Sequence, residues 1–291
     1  MTSPDIEEQT ESQQVDAAVG DDTLFDLQSL TCRYRQQVAV NDISVRLTPG
    51  KLIAVCGYSG SGKSTLLNTL GLLRYGRIFS GSIRLHLPGQ VHDYSQISSK
   101  TRRYLRREEF GFVLQSSYLL PNISGRHNIE MPLLIQKKPA AFCAEQVKSL
   151  VDHLCDDPEQ RDLLPVLDRV PKEASGGQRQ RIAILRALVH DPTVVFADEP
   201  CANLDPLNAE TVMHLLQKWL KDGIESDENQ PSRTILLVSH DIESVLNFAD
   251  QTLILREGKI VDGRLFERND FPARLDLAKD ELKSLMRNGP I

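Results

Sequence analysis

The residues Gly57-Tyr58-Ser59-Gly60-Ser61-Gly62-Lys63-Ser64-Thr65 have the types and spacing needed to hold a phosphate: a Gly, four residues, then Gly-Lys-Ser. The glycines let successive backbone N–H groups turn inward around an anion, and a helix beginning directly behind them adds its positive end. Lys63 would reach the β- and γ-phosphates of a nucleotide, and the Ser64 hydroxyl would ligate Mg²⁺. This chemistry requires a strand before the loop and a helix after it. Residues 52–56 are an apolar run of strand length, and residues 65–73 are good helix formers with a helical apolar stripe.

A second glycine pair stands in Ala174-Ser175-Gly176-Gly177-Gln178, ahead of a helical run at residues 179–190. Ser175 with Gln178 three positions on is a capping-box pattern. Capping leaves the two glycines unexplained, since each costs a helical turn up to about 1 kcal/mol relative to Ala. They make sense where another molecule's phosphate must approach the backbone at the positive helix end, so a second anion site is expected there.

Carboxylates and a histidine complete the inventory. Residues 193–198 form an apolar strand of parallel-sheet type that ends in Asp198 and Glu199. With a phosphate loop upstream, Asp198 is placed to hold Mg²⁺ through water and Glu199 to polarise an attacking water. Residues 234–238 form another buried strand, which delivers Ser239-His240-Asp241 to the end of the sheet where ligands bind. Tyr34 precedes a polar turn, where an aromatic ring either stacks on a nucleotide base or simply packs.

The remaining elements follow from periodicity. Alternating apolar residues at positions 24–47 indicate antiparallel strands, with turns at Asn41-Asp42 and Pro49-Gly50. Residues 81–87 and 110–114 read as strands, the latter ending at Gln115. Residues 98–109 form a polar helix bearing Lys100, Arg102, Arg103, Arg106 and Arg107; with Glu108 and Glu109 adjacent and no aromatic platform, it is a solvated face and no nucleic-acid site. Helical spacing over residues 129–164, between two parallel-sheet strands, suggests a separate helical subdomain.

Composition bounds the class. The chain has 291 residues, 40% of them hydrophobic, and no run long enough to cross a bilayer. No signal segment is apparent, so a cytoplasmic chain is expected. The five cysteines lack C-x-x-C spacing, which disfavours disulfides and zinc. The net charge of −6 is local: residues 1–22 hold seven acidic residues and no Lys or Arg, as expected of a disordered acidic tail.

Taken together, these motifs resemble those of the ATP-binding-cassette (ABC) ATPase subunits, over about residues 24–263. The resemblance implies an α/β fold of the P-loop NTPase type, with a RecA-like core, an antiparallel β subdomain and an inserted helical subdomain at about 116–175. The implied organisation is a tail at 1–22, a cassette at 23–263 and a C-terminal extension at 264–291. It also implies roles: Tyr34 stacks on adenine, and the loop from Gly57 through Ser59, Gly60, Ser61, Gly62 and Lys63 to Ser64 and Thr65 binds ATP. Gln115 senses Mg²⁺ and couples to a membrane partner; Ser175, Gly176, Gly177 and Gln178 form the family signature. Asp198 is the Mg²⁺ carboxylate, Glu199 the catalytic base, Asp205 the loop acid that crosses a dimer, and His240 the γ-phosphate switch.

The signature begins with Ala174 where the family usually has Leu, and Cys201-Ala202-Asn203 replaces the commoner Thr-Gly-Asn; neither change removes a reacting group. Phe110-Gly111-Phe112-Val113-Leu114-Gln115, Leu119-Leu120-Pro121, Asn128-Ile129 and Met131-Pro132-Leu133-Leu134 are similar to the lipoprotein-releasing and macrolide-efflux branch. That branch implies two subunits closing head to tail on two ATP, each with its Mg²⁺, to drive an integral membrane permease from the cytoplasmic side of the inner membrane. The alternatives are a regulatory cassette that activates an envelope enzyme through a membrane partner, and a soluble cassette outside transport. A GTPase or kinase would lack the Ser175 motif, and no Asn-Lys-x-Asp for guanine is present.

Overall fold

The computed structural model describes residues 23–34, 37–73, 78–156, 160–225 and 232–291. The expected acidic tail at 1–22 lies outside the described residues.

Two sheets organise the chain. The first is antiparallel, in the order β2-β1-β4-β5, built from β1 (Phe25–Tyr34), β2 (Gln37–Leu47), β4 (Ile78–Leu87) and β5 (Gln90–Asp93). The second runs β10-β9-β3-β8-β7-β6. Its strands are β3 (Leu52–Cys56), β6 (Phe110–Val113), β7 (Val194–Asp198), β8 (Thr234–Val238), β9 (Gln251–Arg256) and β10 (Lys259–Ile260), with β11 (Phe266–Glu267) paired to β9. The ladders joining β9, β3, β8, β7 and β6 are all parallel.

Burial on both faces explains the unbroken apolar runs of these central strands. On β3, Leu52, Ala54 and Cys56 enter one core cluster while Ile53 and Val55 enter the other. On β7, Val195 and Ala197 face the first cluster, and Val194 and Phe196 the second. The second cluster glues the antiparallel sheet to the parallel one, and Phe196 packs within it against Phe25, Phe110 and Phe112. Cys56 lies in this interior, and burial pushes its thiol up to about 12, so it behaves as a small hydrophobe.

The helices are α1 (Lys63–Leu70), α2 (Ser99–Glu108), α3 (Gly125–Ile135), α4 (Ala140–Leu154), α5 (Gly176–Leu188), α6 (Pro206–Glu225), α7 (Ile242–Phe248) and α8 (Leu275–Asn288). Between β6 and α5 lie α3, α4 and two short 3₁₀ turns, Arg161–Val166 and Pro171–Glu173. Ile129 and Leu133 of α3 and Val147 and Val151 of α4 join Ile182 of α5 in the first cluster, so these helices share the core of the sheet. That core continues past residue 263: Ala278, Leu282 and Met286 of α8 are buried in it.

One expected turn is a bulge. Asn41 and Asp42 lie inside β2, where Asp42 takes φ 52° and the ladder to β1 shifts register between Leu30↔Ile43 and Cys32↔Val40. Asn and Asp tolerate the left-handed conformation in either setting, so the dipeptide alone does not separate a turn from a bulge. Here the break frees Asn41 N–H to donate to the Gly258 carbonyl at 2.8 Å, which ties the antiparallel sheet to the β9–β10 hairpin. Among the described residues no helix is long and apolar enough to cross a membrane.

Candidate functional site

The loop after β3 is shaped by glycine where nothing else fits. Gly57, Gly60 and Gly62 have φ of 148°, 82° and 104°, in the region L side chains rarely adopt. A Cβ on Gly57 would lie 2.2 Å from the Leu255 carbonyl oxygen, and one on Gly62 would lie 2.0 Å from that of Ala39. Tight approach on two sides closes the loop around Lys63, whose ammonium donates to the carbonyls of Gly57 (2.7 Å) and Tyr58 (2.9 Å). Burial pushes the Lys63 pKa down, opposed by Glu199, Cys56 and Asp198, in that order. Ser61 Oγ is buried with no hydrogen-bond partner among the described residues.

The ends of the neighbouring parallel strands bring the other groups. Asp198 ends β7, and its Oδ1 accepts from the Ser64 hydroxyl at 3.0 Å. Desolvation raises the Asp198 pKa, an effect the Ser64 hydrogen bond offsets and the Glu199 charge reinforces. Glu199 is held at φ 50° by its N–H bond to the Val238 carbonyl, 2.9 Å away on β8. A non-glycine residue in that conformation is strained by about 1 kcal/mol, and the conformation aims the side chain across the strand ends. Glu199 Oε2 accepts from Gln115 Nε2 at 3.4 Å and lies 3.3 Å from His240 Nδ1. Thus four adjacent strands, β3, β8, β7 and β6, deliver the phosphate loop, His240, Asp198 with Glu199, and Gln115.

The phosphate loop, Glu199 and His240 border a cavity of about 840 Å³ whose lining includes Gly57, Ser59, Gly60, Gly62, Lys63, Ser64 and Thr65; Asp198 and Gln115 are not part of that lining. Residues 37–39 of β2, just after Tyr34, also line it. Tyr34 ends β1; its side chain lies outside the described residues. The donor set suits Mg²⁺: a hydroxyl, a carboxylate and an amide oxygen are hard ligands, and a site with so few protein groups leaves positions for water and substrate phosphate. Among the described residues no group of three or more His, Cys, Asp and Glu is placed to hold a metal ion by itself.

Ser175, Gly176, Gly177 and Gln178 do not line this cavity. They start α5 in a capping box: the Ser175 hydroxyl accepts from Gln178 N–H at 3.2 Å, and Gln178 Oε1 accepts from Ser175 N–H at 2.9 Å. The two glycines differ. Gly176 has open space around it, whereas a Cβ on Gly177 would lie 2.2 Å from Asn208 Oδ1. Asn208 in turn donates to Asp205, from its side chain at 2.6 Å and its backbone at 3.0 Å. These bonds hold the exposed Asp205 carboxyl below its ordinary pKa, the backbone bond most strongly. Gly177 therefore has a reason within the chain: it lets the start of α5 rest on the residue that positions Asp205.

Sequence reasoning missed Asn208, and it missed the pair beneath the capping box. Asp162 receives both Arg181 nitrogens, at 2.7 and 2.8 Å, and Gln178 Nε2 at 3.0 Å. The Asp162–Arg181 pair and the seat of Gly177 on Asn208 have no local signal, since the partners come from separate elements, whereas Asp205 and Asn208 are three residues apart at the start of α6, a capping spacing that could have been read. Arg186 of α5 donates to the carbonyls of Ser117 (2.7 Å) and Tyr118 (2.9 Å), which joins α5 to the loop after Gln115.

Comparisons with known proteins give the family and the fold. Residues 40–202 match the family described as "ABC transporter". The chain is 38% identical over 218 residues to the lipoprotein-releasing system ATP-binding protein LolD of Legionella pneumophila, covering 75% of this chain and 86% of that protein. It is 34% identical over 244 residues to the macrolide export ATP-binding/permease protein MacB of Vibrio parahaemolyticus, covering 82% of this chain but 34% of MacB. The chain thus spans about a third of the length of such export ATP-binding/permease relatives. Among solved structures, the dimeric post-hydrolysis state of the ATP-binding cassette MJ0796, bound to ADP and Pi, superposes with a TM-score of 0.68. It is 25% identical, over 84% of this chain and 99% of that one. The chain belongs to the ABC transporter family and is an ATP-binding cassette of the P-loop NTPase fold.

Proposed function

We propose that this cassette hydrolyses ATP as one half of a head-to-tail pair and uses the resulting motion to drive an integral membrane permease. The observation that carries the reading is the convergence of Lys63, Ser64, Asp198, Glu199, Gln115 and His240 on the ends of four adjacent strands. In this reading the N–H groups of residues 57–65 and the start of α1 bind the β- and γ-phosphates, and Lys63 turns from its loop carbonyls to them. Ser64, Gln115 and Asp198 would hold Mg²⁺, which neutralises charge on the phosphate oxygens. Glu199 orients a water in line with the bond to be broken and takes its proton; Gln115 and His240, both beside Oε2, fix the carboxylate's direction. His240 and Lys63 then face the charge that develops on the transferred phosphoryl group.

The second half of each site would come from another subunit. Ser175 and Gly176 form the exposed start of α5, with Gly177 buried behind them on Asn208, the residue that holds Asp205, so one surface would offer the helix start and Asp205 to a partner's phosphate loop. Closure is then linked to ATP, because the γ-phosphate attracts both helix ends. Arg186 carries movement of α5 into the loop after Gln115, beside a cleft of about 650 Å³ lined by Arg103, Arg107, Phe112, Tyr118 and Ile135. An apolar floor with a cationic rim suits a short amphipathic segment of the permease, and it would place the cassette at the cytoplasmic face of the inner membrane. LolD and MacB are named for lipoprotein release and macrolide export, which supports an export or extraction system of that branch.

The experiment is phosphate release alongside nucleotide binding. Glu199→Gln should lower turnover by at least about a hundredfold with ATP affinity kept, and Lys63→Ala should weaken binding itself. Near wild-type turnover in Glu199→Gln would show that the base is misassigned.

A further inference from the structure

The cavity at the phosphate loop has one wall that comes from the far end of the chain. Lys283, Met286 and Arg287 of α8 line it together with the loop. Lys283 and Arg287 are four residues apart, so they stand one above the other on one face of the helix. Arg287 Nε donates to the Tyr58 hydroxyl at 3.0 Å, which sets the last turn of α8 against the second residue of the loop. This helix lies beyond residues 40–202, which match the family.

The fold holds α8 there. Ala278, Leu282 and Met286 are buried in the main core. Arg256 donates to the Arg287 carbonyl at 3.0 Å, and Asp262 N–H to that of Pro290 at 2.7 Å. Gly289 makes this seat possible: a Cβ there would lie 2.3 Å from Val261 Cγ1. The helix also packs on α7, with Lys279 paired to Glu243 at 2.6 Å just after the His240 turn.

The charges on α8 are used unequally. Arg274 and Lys279 are paired with Asp276 and Glu243. Lys283 and Arg287, the two that line the cavity, make no ion pair with a carboxylate among the described residues. Two cations without carboxylate partners among the described residues, held at the edge of a phosphate-binding loop by a helix anchored through one buried face, have the chemistry to take phosphate oxygens.

We propose that α8 supplies a second set of polyphosphate ligands, Lys283 and Arg287, to the nucleotide held by the phosphate loop. The inference rests on reading this cavity as the nucleotide site. It makes the C-terminal segment part of the ATP site, so ATP occupancy and the seating of α8 on α7 favour one another.

The test is titration of the full-length chain with ATP, ADP and adenosine across a salt series. Two solvated cations together contribute roughly tenfold in affinity. Lys283→Gln with Arg287→Gln should therefore weaken ATP about tenfold, ADP less and adenosine not at all, and should make the fall of ATP affinity with salt shallower. Both residues are exposed, so the thermal midpoint should hold. Arg274→Gln removes a cation of the same helix that is paired with Asp276 and does not line the cavity, and should leave ATP affinity within about twofold. An unchanged ATP affinity and salt slope in the double variant, with Lys63→Ala still impaired, would overturn the proposal and leave the cavity as the nucleotide site. Tighter ATP binding in the double variant would overturn it too, as a helix that opposes binding. If Lys63→Ala also binds normally, the reading of the cavity itself fails.

Discussion

The chain begins two helices with glycine-rich turns, at Gly62-Lys63 and at Ser175-Gly176, and builds them in opposite ways. Before α1 the glycines have positive φ, two of them (Gly57 and Gly62) press on carbonyls of neighbouring elements, and the loop encloses a lysine that is 6% exposed. Before α5 neither glycine has positive φ; Ser175 caps the helix from within, and Gly176 faces open space. The first helix end is wrapped by its own chain into a concave anion site. The second is capped by its own Ser175 and does not line the phosphate-loop cavity; in the proposed pair another chain would complete it. Both present the same backbone dipoles, and what differs in the proposed pair is which chain would provide the other wall.

The contrast can be broken at the glycines, and the largest effect belongs to the loop. Gly62→Ala combines φ 104° with a Cβ 2.0 Å from a backbone oxygen that cannot rotate away. It should lower unfolding free energy by about 2–4 kcal/mol and abolish ATP binding, measured by urea unfolding and nucleotide titration.

Next comes the support under α5. Asp162→Asn removes the carboxylate from Arg181, whose side chain is 3% exposed while that of Asp162 is 51% exposed. Solvent at Asp162 discounts the buried-pair value, leaving about 1–2 kcal/mol at neutral pH. Burial raises the Asp162 pKa, but the bonds from Arg181 and Gln178 outweigh that and leave it lowered. A depressed carboxyl contributes stability above its unfolded pKa and loses it as pH falls through the folded value. The gap between wild type and Asp162→Asn should therefore close below about pH 4 in urea titrations; a gap that persists in acid would show that the pair's charge is not its source.

The smallest stability effects separate the two signature glycines. Gly177→Ala meets the Asn208 side chain, which can move, and should cost about 1 kcal/mol. Gly176→Ala meets nothing and should stabilise the monomer by a few tenths of a kcal/mol through helix propensity. If α5 is completed by a partner, Gly176→Ala should nonetheless weaken ATP-dependent pairing, a sign reversal that monomer packing alone cannot produce.

The same contrast explains what could be read from sequence. The strand, loop and helix around residues 57–65 were legible because the motif is contiguous and each residue type answers a local demand. The parallel strands were legible because burial on both faces leaves unbroken apolar runs. The two glycines at the start of α5 were visible as an anomaly, but the reason for Gly177 was not, because Asn208 belongs to another helix. Asn41-Asp42 pointed to a turn and made a bulge, since φ preference does not record which strand pairs alongside. The place of α8 was hidden for the same reason: Arg287 meets Tyr58 across 229 positions, and no spacing rule spans them.

In the proposed pair two chains share each ATP. The most direct measurement is the mass, by light scattering, of the Glu199→Gln protein with and without ATP, alone and with the Gly177→Asp change added. A shared site requires one chain without nucleotide, two chains with ATP, and one chain again when Gly177→Asp is present although ATP remains bound. A single-chain mass for ATP-saturated Glu199→Gln, or a dimer indifferent to Gly177→Asp, would contradict it.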